Sequence, residues 1–231
     1  MNNQYYIGVE IGGTKQQLAV GLSDGTILDS RQVKLVYRRG AEDILDWLLE
    51  NIREYLAMAP YAGHIAGIGV GFGGPLETAT GRVLSSLQVP GWKDFELKQW
   101  FEKSFGLPVN VVNDTVTGGF AELYKGAGRN SENFFYTNIG TGIGGALILD
   151  GRPYPGSHFQ SGEIGYSDYS SSEEYLEIDY STLGILRRAS ALTGSQLDGF
   201  AFIQRIRDND PCCLQLLEDW TAKLGRVLAN N

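Results

Sequence analysis

Few residues of this chain could form covalent or metal-bound cross-links, because its 231 residues include only two cysteines and two histidines. The cysteines, Cys212 and Cys213, are neighbours and cannot join distant parts of the chain, so a reducing compartment, the cytoplasm, is predicted. Basic residues are also in the minority, since 19 lysines and arginines stand against 27 aspartates and glutamates, for a net charge of −8. Because nucleic-acid binding requires a basic face, nucleic acid is not expected as the main partner.

Long apolar runs are missing too. The most apolar window, "IAGIGVGFGGPL" at 65–76, is rich in glycine and falls short of the roughly 18 residues that a membrane helix needs. The first residues, "MNNQYYIGVEIGG", lack a basic stretch followed by a long apolar segment, so no secretory signal is predicted. Hydrophobic residues nevertheless make up 42% of the chain, which indicates a folded core in one large domain or in two small lobes.

Apolar periodicity indicates strands and helices in alternation. Residues 4–11 are β-branched and aromatic and end at a glycine pair, which predicts a strand. Apolar residues at helical spacing predict an amphipathic helix from Glu42 to Met58, and Asp24-Gly25 is typical of a hairpin turn. The other predicted strands are 16–22, 26–36, 65–72, 107–114 and 133–140, and the other predicted helices are 95–105, 115–126 and a final segment from Asp219.

Two distant stretches share one plan. Both "VEIGGTKQQLAVGLSDG" at 9–25 and "TNIGTGIGGALILDG" at 137–151 read as a strand, a turn rich in glycine and threonine, a second strand and an Asp-Gly turn. Two copies could be a coincidence, but the pattern favours a structural duplication. A duplication would place two glycine turns on opposite walls of one cleft.

The spacing of the glycines in the second copy raises the question of which ligand, if any, this loop binds. Gly140, Gly142 and Gly145 have the G-x-G-x-x-G spacing of dinucleotide-binding loops, but "ALILDG" follows as a strand and not as the helix that such a site needs. The first copy is not a P-loop, because Thr14 precedes Lys15 and a strand comes next. Each is therefore a hairpin tip whose amides could bind an anion, or a turn that merely needs positive φ. For the pair, phosphate binding is favoured.

Five motifs occur in a recognisable order along the chain, namely "GVEIGGTK", "GIGVGFGGPLE", "VPGWKDFELKQWFEKSFGLPVNVVND", "IGTGIGG" and "GEIG". In their order and spacing the chain resembles the ROK family of sugar kinases and sugar-responsive regulators. The resemblance implies an α/β, actin/hexokinase-like (ribonuclease H-like) fold of two lobes with mixed sheets, with ATP and a sugar between them. The expected lobes are 1–113 and 114–231. The family normally continues past residue 231 into an adenosine-binding segment, so a shortened second lobe with weakened nucleotide binding is expected.

The resemblance assigns the chemistry to one carboxylate. Asp114, at the end of a predicted strand, is the expected general base that takes the proton of the sugar hydroxyl. Its alternative role, with Asn113, is to cap the next helix. Glu10 would assist the metal through water or be an ordinary strand-end charge. The residues implied to bind the nucleotide are Glu10, Gly12, Gly13, Thr14, Lys15, Gly140, Thr141, Gly142 and Gly144.

Sugar recognition needs several hydrogen-bonding groups, because a buried polar group left without its partner is penalised. The resemblance implies backbone contacts at two glycines, and side-chain contacts elsewhere. Glu177 is matched less securely than the others, with Glu173 and Glu174 as rivals and a solvated surface carboxylate as the alternative. The implied sugar-binding residues are Gly73, Gly74, Gln88, Asn113, Glu163, Tyr166 and Glu177.

One departure from the family pattern concerns zinc. Tyr166 stands where relatives usually carry a histidine that helps to bind the sugar and ligates a structural zinc with three cysteines. Those cysteines are absent, and His158 alone cannot make the four-ligand site, so no structural zinc is predicted and the expected cofactors are ATP and Mg²⁺. This arrangement resembles the branch of the β-glucoside kinases, which makes a glucoside or disaccharide a candidate substrate beside a free hexose.

Other functional readings remain open. A sugar-sensing regulator of the same family would carry a DNA-binding segment ahead of the first motif, which starts here at Ile7, and a non-catalytic remnant would bind sugar without turnover. An ATPase of the Hsp70 or actin type is a more distant option. The expected partners are a small-molecule sugar and ATP, with a homodimer left open and no membrane partner.

Overall fold

The amino-terminal part of the chain is built on a mixed five-stranded sheet. The structure, a computed structural model, describes residues 4–13, 15–34, 39–86, 89–157, 161–167 and 175–230. The chain forms two compact units, Met1–Ser131 and Glu132–Asn231. The strands of the first unit are β1 (Tyr5–Ile11), β2 (Gln16–Leu22), β3 (Ile27–Val33), β4 (Ile65–Phe72), β5 (Leu76–Glu77), β6 (Arg82–Val83) and β7 (Val109–Asn113), and its helices are α1 (Ala41–Ala57), α2 (Leu97–Phe105) and α3 (Asp114–Lys125).

The sheet of the first unit has the order β3-β2-β1-β4-β7. The first three strands form an antiparallel meander, whereas β4 runs parallel to β1 and β7 runs parallel to β4. Alternate residues of β1 are buried, as a strand with one face on the core requires. The apolar face of α1 adds Ile44, Leu48, Ile52 and Tyr55 to that core at helical spacing.

The second unit combines a small antiparallel sheet with helices. Its strands are β8 (Phe134–Ile139), β9 (Ile143–Leu149) and β10 (Arg152–Pro153), and its helices are α4 (Leu176–Tyr180), α5 (Thr182–Thr193), α6 (Gly199–Arg207) and α7 (Pro211–Asn230). A 3₁₀ turn spans Ile164–Tyr166. One apolar cluster joins β9, this turn, α4 and α7, and another joins α5, α6 and α7. Cys213 is buried in the latter cluster, where a free thiol packs as a small hydrophobe, and Cys212 is exposed.

Most predicted elements agree with the structure, and the differences lie at their ends. Asp114 is the first residue of α3 and not the last residue of a strand, because the side chain of Asn113 already caps the helix. The compact units also divide after Ser131 and not after Asn113, since α3 packs on β4 and β7 of the first sheet. Within the described ranges, no helix is long and apolar enough to cross a membrane.

Candidate active site

Residues from three of the sequence motifs lie at the same edge of the first sheet. In the register of β1, β4 and β7, Ile11 lies opposite Phe72, and Phe72 lies opposite Asn113. The next residues along each strand are therefore the first glycine turn (Gly12–Lys15), the Gly73-Gly74 pair and Asp114. The carboxyl ends of parallel strands are where open α/β sheets bind ligands. This edge is consequently the candidate site of the first unit.

Asn113 acts as the N-cap of α3. Its side-chain Oδ1 accepts hydrogen bonds from the backbone N–H groups of Thr115, at 2.8 Å, and Val116, at 3.3 Å. The capping role considered for the Asn113-Asp114 pair is thus correct for Asn113. Because capping occupies Oδ1, the amide turns its Nδ2 group away from the helix end. That Nδ2 has no acceptor among the residues that the structure describes.

The two carboxylate oxygens of Asp114 have different surroundings. Oδ1 accepts from the backbone N–H of Thr115 at 2.7 Å and from its hydroxyl at 3.3 Å. Oδ2 faces Gly73, where a Cβ would stand 3.0 Å away, and it has no hydrogen-bond donor within the described ranges. One oxygen is therefore anchored to the helix, and the other is open.

Burial raises the pKa of Asp114 above the ordinary aspartate range. The hydrogen bonds from Thr115 act in the opposite direction, and the negative charge of Glu10 raises the pKa further. Glu10 lies on β1 opposite Gln17, whose side-chain amide donates a hydrogen bond to its carboxylate. The negative charge of Glu10 thus acts on the Asp114 carboxyl, and burial together with this charge holds the pKa of Asp114 above its ordinary range.

The first glycine turn and the Gly73-Gly74 pair are tied to the sheet by hydrogen bonds. The carbonyl oxygen of Gly12 accepts from the side chain of Gln16 at 2.7 Å. The N–H groups of Gly73 and Gly74 donate to the carbonyls of Ile11 and Phe72, at 2.8 and 3.1 Å. These two amides are therefore occupied, and the predicted backbone contact with a sugar would have to use other atoms of the pair.

The second glycine turn (Gly140–Gly142) joins β8 to β9. Within it, the N–H of Gly140 donates to the carbonyl of Gly142 at 2.9 Å, while the N–H of Ile143 donates to Oε2 of Glu177 at 2.9 Å. The amides of Thr141 and Gly142 have no acceptor among the described residues. Gly144, which was predicted in the nucleotide site, lies inside β9.

The glycines of neither turn have positive φ among the described residues. The alternative explanation, a turn that only needs left-handed backbone, is therefore wrong for these positions. Gly142 instead lets the carboxylate of Glu177 approach closely, because a Cβ there would stand 2.4 Å from Oε2 of Glu177 and the carboxylate would have to move. Positive φ occurs at the Asp-Gly turns, at Gly25 and at Asp150 with Gly151.

The acidic and aromatic residues predicted on the sugar side come together in the second unit. Partial burial raises the pKa of Tyr166, and the negative charges of Glu177 and Glu163 raise it further. The ring of Tyr166 packs edge-on against Tyr175, with centroids 5.8 Å apart, and both rings are about half exposed. Two carboxylates and two accessible aromatic faces therefore share one small region.

Some predicted residues lie outside the described ranges, namely Thr14, Gln88, His158, Glu173 and Glu174. Within those ranges, no group of three or more histidine, cysteine or acidic side chains could hold a metal ion. The zinc prediction, which involves His158, stays a prediction.

Three functional contacts were missed by reasoning from the sequence. Gln17 could have been found, because hairpin pairing around the first glycine turn places it directly opposite Glu10. The anchoring of Asp114 by Thr115 joins adjacent residues at the start of α3, whereas the contact of Glu177 with the Ile143 amide spans 34 residues and has no local signal.

Comparison with known proteins identifies the family. The model of the ROK family matches residues 6–231. The chain belongs to the ROK family. This confirms the resemblance based on the five ordered motifs, which run from the first glycine turn to "GEIG".

The relatives named below are carbohydrate kinases. The glucokinase of Halalkalibacterium halodurans is 31% identical over 172 residues, a match that covers 72% of this chain and 50% of that protein. The β-glucoside kinase of Klebsiella pneumoniae is 30% identical over 230 residues, covering 96% of this chain and 75% of that protein. The chain thus spans between half and three quarters of the length of these two relatives.

A solved structure extends the likeness to three dimensions. A ROK family glucokinase from Streptomyces griseus, in complex with glucose and AMPPNP, is 25% identical, with a TM-score of 0.79 over 98% of this chain and 78% of that chain. Structural neighbours of this kind confirm the predicted actin/hexokinase-like fold with mixed sheets.

Proposed function

We propose that the protein transfers the γ-phosphoryl group of ATP to a hydroxyl of a sugar, with Asp114 as the general base. The observation that carries this proposal is the open Oδ2 of Asp114, held at a sheet edge by bonds to the other oxygen. Relatives that are named glucokinase and β-glucoside kinase support the reaction class. A carboxylate that only caps a helix would not need an open and partly desolvated oxygen.

In the proposed reaction, Asp114 accepts one proton. Its Oδ2 accepts the proton of the sugar hydroxyl while the hydroxyl oxygen attacks the γ-phosphorus and the bond from that phosphorus to the bridging oxygen breaks, which releases ADP. General-base assistance of this kind contributes about 10²–10⁴ in rate. The raised pKa of Asp114 suits this role, because a stronger base takes the proton more readily provided it is still ionised at the working pH.

Backbone amides of the glycine turns are the proposed phosphate ligands. In the second turn, the N–H groups without an acceptor among the described residues are those of Thr141 and Gly142, and the Thr141 hydroxyl adds another donor. In the first turn, the exposed side chain of Lys15 brings a positive charge. Donors already fixed in position stabilise the charge of the transferring phosphoryl group without reorganisation.

A magnesium ion fits the residues of the first unit. Glu10 and Asp114 are carboxylates whose negative charges act on each other, and Mg²⁺ is usually held by one or two carboxylates together with the phosphates of the substrate. When bound, the ion would neutralise negative charge on the phosphates. The proposed role of Glu10 is to hold a water of that ion, while Gln17 keeps its carboxylate in place.

The proposed substrate is a glucoside, a disaccharide or a hexose. Asn113 has a free Nδ2 that can donate to a sugar hydroxyl, and Glu163, Tyr166 and Glu177 supply the carboxylate and phenol groups of the second unit. Similarity to the β-glucoside kinase favours a glucoside, and the exposed Tyr166–Tyr175 pair offers apolar faces to a second ring. Gly73, Gly74 and Gln88 remain proposed sugar contacts, and zinc is not part of the proposal.

A coupled assay of ADP release over glucose, fructose, N-acetylmannosamine and cellobiose tests this function. We expect turnover with at least one sugar, and a fall of about 10²–10⁴-fold in Asp114→Asn. Asp94→Asn is the matched control, because Asp94 is an exposed aspartate of the same unit with positive φ, which asparagine tolerates.

Two results would contradict the proposal in different ways. Undiminished turnover in Asp114→Asn would remove Asp114 as the base. Binding of a sugar by calorimetry without any ADP release would favour the sensor or the non-catalytic remnant.

A further inference from the structure

We propose that Glu177 is a positioning residue of the second glycine turn, and that it leaves the amides of Thr141 and Gly142 as the two that bind phosphate. The inference rests on the proposed nucleotide-binding role of this turn. It differs from a direct sugar contact, because the carboxylate acts through the backbone that it holds. Three observations support it: one hydrogen bond, a set of close glycine contacts and the pattern of occupied amides.

The hydrogen bond links α4 to the end of the turn. Oε2 of Glu177 accepts from the N–H of Ile143 at 2.9 Å, and Ile143 is the first residue of β9 and is buried. An ionised acceptor makes such a bond about twice as strong as a neutral one. Glu177 itself is half buried, so solvent competes only partly for its carboxylate.

Two glycines allow the backbone to approach the carboxylate of Glu177 closely. A Cβ on Gly142 would stand 2.4 Å from Oε2 of Glu177, and a Cβ on Gly165 would stand 3.2 Å from the same atom. Gly165 also approaches the carbonyl of Ile143, where a Cβ would stand only 2.1 Å away. The 3₁₀ turn, the second glycine turn and α4 therefore meet at the carboxylate of Glu177.

The amides that already donate hydrogen bonds determine which N–H groups of the turn can bind a ligand. Gly140 donates within the turn and Ile143 donates to Glu177, so the two successive N–H groups between them are the free ones. The carbonyl of Gly140 is held in addition by the N–H of Thr182, at 2.9 Å. Successive free N–H groups with fixed neighbours form an anion-binding nest. Without Glu177, the Ile143 amide would lose its acceptor and the nest would lose one of its supports.

Titration with Mg-AMPPNP, together with hydrogen exchange of the Ile143 amide followed by NMR, tests the inference. In Glu177→Ala we expect the Kd for AMPPNP to rise about tenfold, the typical effect of losing one hydrogen bond to a charged group. Exchange at Ile143 should accelerate by a similar factor in the ligand-free protein. Glu177→Gln keeps an acceptor and should stay within about threefold of wild type in both measurements.

Two further variants separate positioning from general damage. Asp179→Asn removes another carboxylate of α4, one that pairs with Arg187, and should leave both readouts unchanged. Gly142→Ala should reproduce Glu177→Ala, because its Cβ displaces the carboxylate. The double variant should be no weaker than either single one, since the same contact is lost once.

An unchanged AMPPNP Kd and an unchanged Ile143 exchange rate in Glu177→Ala would overturn the inference. A change confined to cellobiose affinity would overturn it too, because it would make Glu177 a sugar ligand only. If wild type binds no AMPPNP, the proposed function fails, and the Ile143 exchange rate alone then decides whether Glu177 holds the turn.

Discussion

The two units share an order of strand, glycine turn, strand and Asp-Gly turn, but different contacts hold these elements in place in each unit. In the first unit, β1 pairs with β2 on one side and β4 on the other, each over seven residues. In the second unit, within the described residues, β8 pairs only with β9 and its side chains are half buried or exposed. The first candidate site is therefore placed by sheet register, and the second by side-chain and glycine contacts.

This difference indicates that two segments with the same order of elements can have different roles. Asp114 follows the parallel register of β4 and β7, which fixes the start of α3, as the proposed role of Asp114 as a base would require. The turn at Gly140–Gly142 depends instead on Glu177 and Thr182, which lie on elements far along the chain. We expect the first unit to set the chemistry and the second to be more easily altered.

The pH dependence of turnover should report the first unit. As the proposed base, Asp114 would have to be ionised, and burial raises its pKa, so the acid limb of kcat should lie above the ordinary aspartate range. Below that pKa the rate should fall about tenfold per pH unit, or about 100-fold over two units. A kcat profile measured from pH 4 to 8 checks this.

The contribution of Asp114 to the free energy of unfolding should change with pH in the opposite direction to its contribution to turnover. Because its pKa is raised in the folded state, the folded protein favours the protonated carboxyl, and this contribution is lost as pH rises through the raised pKa. Asp114→Asn should therefore be no less stable than wild type at pH 7. A flat acid limb, or a strongly destabilised Asp114→Asn, would remove the contrast between the units.

Hydrogen exchange should distinguish the two sheets. The amides of β1 and β4 lie inside a five-stranded sheet, and those of β8 and β9 belong to three strands. We expect exchange in the paired amides of β8 and β9 to be at least about 30-fold faster, because sub-global opening needs fewer broken contacts. Equal rates by NMR would mean that the second unit is secured as firmly as the first.

A single methyl group tests how tightly the first site is built. Gly73→Ala would place a Cβ 3.0 Å from Oδ2 of Asp114, so the carboxylate must shift and turnover should fall about tenfold. Gly69→Ala, on the strand β4 that leads into Gly73, is the control, because nothing lies within 4 Å of its Cβ. Equal kcat values in both variants would show that the base tolerates displacement.

The smallest effect concerns the core of the first unit. Buried Tyr55 donates a hydrogen bond to Asp29 at 2.9 Å, and Tyr55→Phe should cost about 1 kcal/mol at pH 7. Burial raises the pKa of Tyr55 to about 12, so its folded-state advantage is complete below pH 10 and is lost between pH 10 and about 12. Urea unfolding at both ends of this window should show the gap between wild type and Tyr55→Phe closing or reversing.

Local patterns predicted most of the elements but only part of the site. Alternation and helical spacing place β1, β2, β4, α1 and α3 within a few residues of their observed bounds. The Asn113 cap and the pairing of Glu10 with Gln17 follow from local rules of helix ends and hairpins. These features depend on neighbours in the sequence, which is why the sequence alone reveals them.

Contacts between distant elements escaped prediction. Glu177 reaches Ile143 because the 3₁₀ turn and α4 pack on β9, and no periodicity reports that packing. The Gly73 amide is occupied because it donates to Ile11 at the end of the neighbouring strand β1, whereas the Gly74 amide donates locally to Phe72. Gly144, which the family resemblance implies in the nucleotide site, lies within β9, because the strand already begins at Ile143.

The unequal oxygens of Asp114 bear on the product of the proposed reaction. Since Thr115 already donates hydrogen bonds to Oδ1, we expect the proton to be taken by Oδ2, on the side where Gly73 has no side chain. A sugar seated against that edge would present one hydroxyl to the open oxygen, and its neighbours would point elsewhere. Each substrate should accordingly give one positional isomer of the sugar phosphate, which phosphorus NMR of the product mixture can count.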